Sequence, residues 1–158
     1  MNQEIDTKEL QRLERFGLAV FIFVFNRDFS KILLVKRNKE KRKKYGFDWG
    51  IIGGKVEPGE SLAEGALRET EEEIGIRFTS EHLKFFEFEE RADRIRAYTK
   101  LYFYYVAILD EEANITINEE SDEFRWFELN NLPGSMLDRN RISMILNLID
   151  NGGKFDRR

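Results

Sequence analysis

Three glutamates in the middle of the chain stand at a spacing that can do chemistry. Glu69, Glu72 and Glu73 occupy positions i, i+3 and i+4. If the segment is helical, their carboxylates fall within an arc of about 100° and point toward one region of space. Like charges this close repel one another unless a cation neutralises them, and the hard cations Mg²⁺ and Mn²⁺ take oxygen ligands. The spacing therefore indicates either a divalent-metal site or a solvated acidic face of a glutamate-rich chain.

The neighbouring residues predict the helix that such a site needs. Ser61 is a favourable N-cap, and Glu64, three residues later, completes a capping box. Gly75 stands where a glycine commonly ends a helix. Just before the helix, Gly53 and Gly54 lack side chains and so let a metal or a phosphate approach the backbone. The face of the helix that should pack on a sheet comprises Leu62, Ala63, Ala66, Leu67, Thr70 and Ile74.

Apolar runs on both sides of this helix predict a sheet. The strand-like segments are residues 17–25, 31–36, 49–52, 83–89, 98–109 and 123–128. The third segment is expected to end at the paired glycines, and the charged residues 90–96 are expected to form a loop, as is the basic stretch 36–44. A second amphipathic helix is marked by Ile142, Ile145, Leu146 and Ile149. This order of elements predicts an α/β fold with a mixed central sheet between helices.

The composition narrows the class of protein. A length of 158 residues predicts one domain over residues 1–158, in which residues 1–15 form a possible N-terminal extension or helix. The absence of cysteine excludes disulfides, thiolate metal sites and thiol nucleophiles. A net charge of −4 argues against a stable nucleic-acid partner. The longest apolar run, Leu18 to Phe25, is too short to cross a membrane, and residues 1–15 do not resemble a signal peptide, so a cytoplasmic protein is expected.

The segment from Gly54 to Ile76 resembles the Nudix box. The residues that match its fixed positions are Gly54, Glu60, Arg68, Glu69, Glu72, Glu73 and Gly75. One position departs from the pattern, because Thr70 stands where the family has a larger aliphatic residue. We expect its hydroxyl to bond back to the preceding turn, which changes the packing and leaves the chemistry intact.

The resemblance implies an α/β/α sandwich that hydrolyses a nucleoside diphosphate linked to another group, with Mg²⁺ or Mn²⁺. The residues it assigns to the metal are Glu69, Glu72, Glu73 and the backbone carbonyl of Gly53. Glu69 would also orient or deprotonate the attacking water. Gly54, Glu60, Arg68 and Gly75 would support the box. Arg68 and Glu60 would form an ion pair between loop and helix, although Glu60 could equally be favoured by the helix dipole alone.

A further catalytic candidate, Glu120, lies outside the box. It stands six residues before Trp126, where some members of the family carry a loop carboxylate that binds metal or acts as the base. Glu119 and Glu123 compete for this role. A solvated loop without a catalytic carboxylate is an equally simple interpretation.

The basic stretch 36–44 could steer a polyphosphate to the site or could simply keep a loop soluble. Arg37 in this stretch and Lys55 in the box are candidate contacts to substrate phosphates. Tyr45 and Trp49 could stack on a nucleobase, but packing in the core is the better expectation for Trp49.

Two other classes of function compete with the hydrolase. A nucleotide-binding regulatory module would keep the fold without turnover, yet such a module should have lost at least one of the three glutamates. An isomerase acting on diphosphates should depart from the box, and this chain does not. The expected partner is a small nucleotide, with a homodimer possible. ADP-ribose is disfavoured relative to nucleoside triphosphates, because the proline that often marks ADP-ribose specificity is missing from the region of Arg91 to Asp93.

Overall fold

The computed structural model describes residues 16–153, so the expected extension of residues 1–15 lies outside the described part. The strands are β1 Phe16–Phe25, β2 Lys31–Arg37, β3 Trp49–Gly50, β4 Ile52–Lys55, β5 Lys84–Asp93, β6 Tyr98–Ile108 and β7 Ser121–Glu128. The helices are α1 Lys39–Tyr45, α2 Leu62–Ile74 and α3 Arg139–Asp150, with a 3₁₀ turn at Ser80–His82. None of the helices within residues 16–153 is long and apolar enough to span a membrane.

The central strand β1 organises a seven-stranded mixed sheet. It runs parallel to β6 on one side, and β6 pairs with the antiparallel edge strand β5. On the other side its partners divide: β4 pairs with Ala19 to Ile22, and β2 pairs with the last two residues. β2 in turn pairs with β3 and β7. This division places Gly53 and Gly54 against the middle of β1, and the predicted mixed sheet is confirmed.

Alternation along β1 divides the core into two layers, because successive side chains of a strand point to opposite faces. Val20 and Ile22 are fully buried in the layer that also contains Ile74 of α2. Phe23 and Phe25 are fully buried in the layer that contains the apolar face of α3. The predicted α/β/α sandwich is therefore confirmed, with α2 and α3 on opposite faces of the sheet.

The basic stretch 36–44 was expected to be a loop, and this prediction is wrong, because the stretch contains the helix α1. Asn38 caps this helix, because its side-chain oxygen accepts a hydrogen bond from the backbone N–H of Lys41 at 2.9 Å. Gly46 ends it in the left-handed conformation, with φ of 79°. No residue of α1 is buried, so the helix has no apolar face that the sequence pattern could reveal.

Two strand boundaries also differ from the expectation. The predicted strand 49–52 is divided into β3 and β4, and the paired glycines lie inside β4 instead of ending it. β5 continues to Asp93 and so includes part of the predicted loop 90–96, because its residues keep pairing with β6 as far as Tyr98. Pairing between distant strands stabilises charged residues in an extended conformation that local sequence does not favour.

Candidate functional site

Helix α2 presents the three glutamates, and its ends are fixed as the sequence predicts. The Ser61 hydroxyl accepts a hydrogen bond from the backbone of Glu64 at 3.1 Å, and the Glu64 carboxylate accepts one from the backbone of Ser61 at 2.6 Å. Gly75 ends the helix with φ of 69°. Thr70 is fully buried, and its hydroxyl donates to the carbonyl of Leu67 at 2.8 Å, so the predicted bond to the preceding turn is confirmed.

Glu73 is a buried carboxylate held against the sheet. Its Oε2 atom accepts a hydrogen bond from the backbone N–H of Gly53 at 3.0 Å. The pKa of Glu73 is raised to about 8, mainly by burial and also by the nearby carboxylates of Glu69 and Glu120. The hydrogen bond from Gly53 and the charge of Lys41 oppose this rise. The positive charges that the protein places near Glu73 are therefore too few to stabilise its ionised form.

Glu69 lies one turn earlier and is also buried. A Cβ atom at Gly54 would lie 2.6 Å from the Cδ atom of Glu69, so only glycine leaves room for this carboxylate. Burial is the largest influence on Glu69 and raises its pKa, although Arg68 partly opposes the rise. Two carboxylates of α2 thus pack against the two glycines of β4.

Arg68 connects the loop before α2 with the glutamates on the helix. Its Nε and Nη2 atoms donate to Glu60 at 3.1 and 2.8 Å, which is the ion pair that the sequence predicts. Nη2 also donates to the carbonyl of Lys55 at 2.8 Å. Nη1 donates to Glu69 at 2.8 Å and to Glu72 at 3.2 Å. Arg68 thereby balances the charge of two of the proposed metal ligands.

The donor atoms fit a hard divalent cation. Among residues 16–153, no three acidic, histidine or cysteine side chains stand close enough together to hold a metal ion as they are placed. The Arg68 guanidinium instead bridges Glu69 and Glu72. The set nevertheless consists of oxygen donors only, and both Glu69 and Glu73 have pKa values raised by burial. A desolvated pair of carboxylates packed against the glycine backbone of β4 offers the oxygen donors that a hard divalent cation takes.

Glu120 lies beside the same site, just before β7. It forms an ion pair with Lys41 of α1, and its charge contributes to the raised pKa values of both Glu69 and Glu73. The competing candidate Glu123 pairs with Arg125 instead. The structure therefore brings Glu120 to the glutamates of α2.

A cleft with a volume of about 450 Å³ opens at this site. Its carboxylates are Glu73 and Glu120, next to Gly53 and Gly54. Its cationic residues are Arg37, Lys41, Lys55, Arg91 and Lys100. Five cationic side chains around one cleft contrast with the net charge of −4 for the whole chain, and favour an anionic ligand.

The sequence pointed to some of these residues and missed others. Arg37 and Lys55 line the cleft, as expected of phosphate contacts, and Tyr45 lines it as well. Trp49 is buried and packs edge-on against Phe127, with ring centroids 4.7 Å apart, so its packing in the core is confirmed. Lys41 also lines the cleft and belongs to the basic stretch 36–44 that was a candidate for steering a polyphosphate. The sequence gave no substrate-binding role to Arg91, Lys100 or Tyr102, which line the cleft as well.

Comparison with known proteins defines the class to which this fold and site belong. A family model described as the NUDIX domain matches residues 15–146. The chain therefore belongs to the Nudix family.

Individual relatives cover different shares of the chain. The nucleoside triphosphatase NudI of Klebsiella pneumoniae is 32% identical over 91 residues, which are 53% of this chain and 64% of that protein. This chain thus spans less than two thirds of that curated relative. A MutT/nudix family protein from Enterococcus faecalis has a similar structure, with a TM-score of 0.65 and 20% identity over 94% of this chain and 71% of that one. A C. elegans Ap4A hydrolase gives a TM-score of 0.64 and 20% identity over 86% and 98% of the two chains. The two structures show likeness of fold alone.

Proposed function

We propose that the protein hydrolyses a diphosphate linkage in a nucleoside triphosphate or a related nucleotide, with Mg²⁺ or Mn²⁺ as the cofactor. The observation that carries this proposal is the pair of buried carboxylates, Glu69 and Glu73, which lie against the glycines of β4 beside a cationic cleft. A similar protein supports it, because the relative from Klebsiella pneumoniae is a nucleoside triphosphatase.

The proposed ligands of the metal are Glu69, Glu72, Glu73 and the carbonyl of Gly53. A bound divalent ion supplies positive charge that offsets phosphate charge and lowers the pKa of water. Glu72 is the most exposed of the three side chains, with a relative exposure of 54%. It can therefore leave Arg68 and bind a metal ion without exposing buried surface.

Cationic side chains of the cleft would bind the phosphates. Arg37 forms no ion pair among the described residues, and its guanidinium lies 5.3 Å from the centre of the Tyr45 ring. Burial lowers the pKa of Arg37, so an incoming anion would stabilise its charged form. Lys55 on β4 follows the paired glycines directly, where it can contact a phosphate beside them.

The attacking water must lose a proton, and two carboxylates can accept it. Glu69 is buried within the site, whereas Glu120 is half-exposed at its edge. We assign the role of base to either Glu120 or Glu69. Whichever of the two is not the base would orient the attacking water. Lys41, paired with Glu120, holds that carboxylate at the edge of the cleft.

A panel of nucleotides tests this function. Purified protein is incubated with nucleoside triphosphates, dinucleoside polyphosphates and ADP-ribose, with Mg²⁺, and the products are separated to locate the cleaved bond. We expect cleavage between phosphorus atoms for at least one nucleotide, loss of activity with a chelator and recovery with added Mg²⁺. Nucleotide binding without turnover of any compound would favour the regulatory module instead.

A further inference from the structure

We propose that α1 and β6 form a slot for the nucleobase of the substrate, in which Tyr45 and Tyr102 contact the aromatic ring from opposite sides. The phosphates would then run past Lys41 toward Glu73. This inference rests on the proposed function. It concerns recognition of the nucleobase, whereas the carboxylates act at the diphosphate.

The first wall of the slot comes from α1. Lys41 and Tyr45 are four residues apart, so they project from one face of the helix, and both line the cleft. The Tyr45 ring is 51% exposed, although it is a large aromatic side chain beside a ligand-sized cavity. The guanidinium of Arg37 lies 5.3 Å and the amine of Lys44 5.1 Å from the centre of this ring, so two cations keep it at the cleft.

Helix α1 is anchored by polar contacts, which fix where Tyr45 stands. The backbone N–H of Asn38 donates to the carbonyl of Glu120 at 2.9 Å. Arg42 donates from Nη1 to the carbonyl of Arg37 at 2.7 Å and to Asp122 at 2.9 Å. A helix without buried residues is thus tied to the same segment that carries Glu120. One element therefore positions both the aromatic wall and the lysine that pairs with Glu120.

The second wall comes from β6. Tyr102 is half-buried, its ring centre lies 4.7 Å from the guanidinium of Arg91, and its centroid is 5.6 Å from that of Phe21. Its strand partner is Ala19, whose small side chain leaves the floor of the cleft open. Burial raises the pKa of the Tyr102 phenol, against the opposing charge of Arg91. Tyr45 and Tyr102 both line the cleft, one from α1 and the other from β6.

This combination of walls selects a class of ligand. An inorganic polyphosphate would use the cations and would bring no ring of its own to stack on Tyr45 and Tyr102. An aliphatic diphosphate would contact the rings but would have no planar π-face for them. Every nucleobase can stack on an aromatic side chain, and a cationic groove can bind the attached phosphates. The cleft provides both features, and therefore fits a nucleotide bound with its base in the slot.

Binding measurements without catalysis test the slot. A non-hydrolysable nucleoside triphosphate analogue and inorganic tripolyphosphate are titrated calorimetrically with Mg²⁺ into the parent protein, Tyr45→Leu, Tyr45→Phe and Tyr102→Leu. Loss of stacking should weaken the affinity for the nucleotide roughly tenfold in each leucine variant. Tripolyphosphate should bind the parent and variants equally, and Tyr45→Phe should keep the affinity of the parent. Phe88→Leu removes an exposed aromatic ring of β5 that does not line the cleft, and should change neither affinity.

Unchanged nucleotide affinity in Tyr45→Leu, which alters an exposed side chain and should fold normally, would overturn the slot. Equal weakening of tripolyphosphate binding would overturn it too, because the tyrosines would then act on the phosphates. Thermal denaturation checks that Tyr102→Leu is folded, and Tyr102→Phe, which keeps the ring, should bind as the parent does. Selective loss of nucleotide affinity in a protein that cleaves no nucleotide would support the slot and contradict only the hydrolase.

Discussion

The carboxylate of Glu73 on α2 and the backbone N–H of Gly53 on β4 are joined by a hydrogen bond of 3.0 Å, twenty residues apart in the chain. This single bond fixes a buried carboxyl group at the edge of the cleft, yet it does not compensate the cost of ionising that group there, since the pKa of Glu73 is raised to about 8. Ionisation of Glu73 therefore lowers the stability of the folded protein, and this effect should depend on pH.

The raised pKa values predict how the stability of the metal-free protein changes with pH. In the unfolded chain Glu73 titrates near its ordinary value of 4.5, whereas in the folded protein its pKa is about 8, and the pKa of Glu69 is raised too. Between these values the folded protein binds more protons than the unfolded chain, so stability falls as pH rises. We expect the melting temperature without metal to fall between about pH 5 and 8.

The variant Glu73→Gln isolates this effect. It removes the titrating group, so thermal denaturation in the presence of a chelator should show a flatter pH dependence than in the parent. Glu71→Gln is the matched control on the same helix, because Glu71 pairs with Arg77 on the exposed surface and should leave the slope unchanged. The same slope in Glu73→Gln and the parent would contradict the assignment of the buried charge.

Substitution of Gly54 tests the fit between β4 and α2. The Cβ atom of Gly54→Ala would displace the carboxylate of Glu69, the end of a side chain that can move without unfolding the protein. A misplaced catalytic group costs much more in turnover than in stability, so we expect kcat to fall by at least roughly tenfold with a small change in melting temperature. Gly134→Ala is the control, since nothing lies within 4 Å of the new Cβ atom. Full activity in Gly54→Ala would show that Glu69 needs no fixed position.

The bond between Arg68 and Glu60 should stabilise the loop before α2. Two hydrogen bonds join the side chains, and the exposure of Glu60 is only 16%. A double-mutant cycle with Arg68→Met and Glu60→Gln, followed by chemical denaturation, should give a favourable coupling energy that is clearly different from zero. Arg68→Lys should recover only part of it, because lysine cannot form the two parallel bonds. A coupling energy near zero would mean that the pair is an incidental surface contact.

Local signals explain why α2 and its glutamates could be predicted from the sequence. The caps Ser61 and Gly75 lie within one or two residues of the helix, and the spacing of the glutamates fixes which of them share a face. Glu71 falls outside that spacing, and it is exposed and pairs with Arg77. These features depend on a helix alone, and not on the rest of the fold.

The remainder of the cleft depends on contacts that sequence patterns do not record. Helix α1 contains only one residue that is not charged, Tyr45, so it has no apolar period, and its caps Asn38 and Gly46 are weak signals by themselves. Tyr102 reaches the cleft because β6 pairs in parallel with β1 in one particular register. A shift of that register by one residue would turn Tyr102 to the other face of the sheet.

The most direct test of the central claim compares turnover in Glu72→Gln and Glu71→Gln, two neighbours on α2 that differ in direction. With a nucleotide that the parent cleaves, Glu72→Gln should lower kcat by orders of magnitude, and Mg²⁺ should raise its melting temperature less than it raises that of the parent. Without metal the variant should remain folded, because it loses one of several crowded like charges. Glu71→Gln should stay within a few-fold of the parent. Equal loss in both variants, or full activity in both, would contradict a metal site built from Glu69, Glu72 and Glu73.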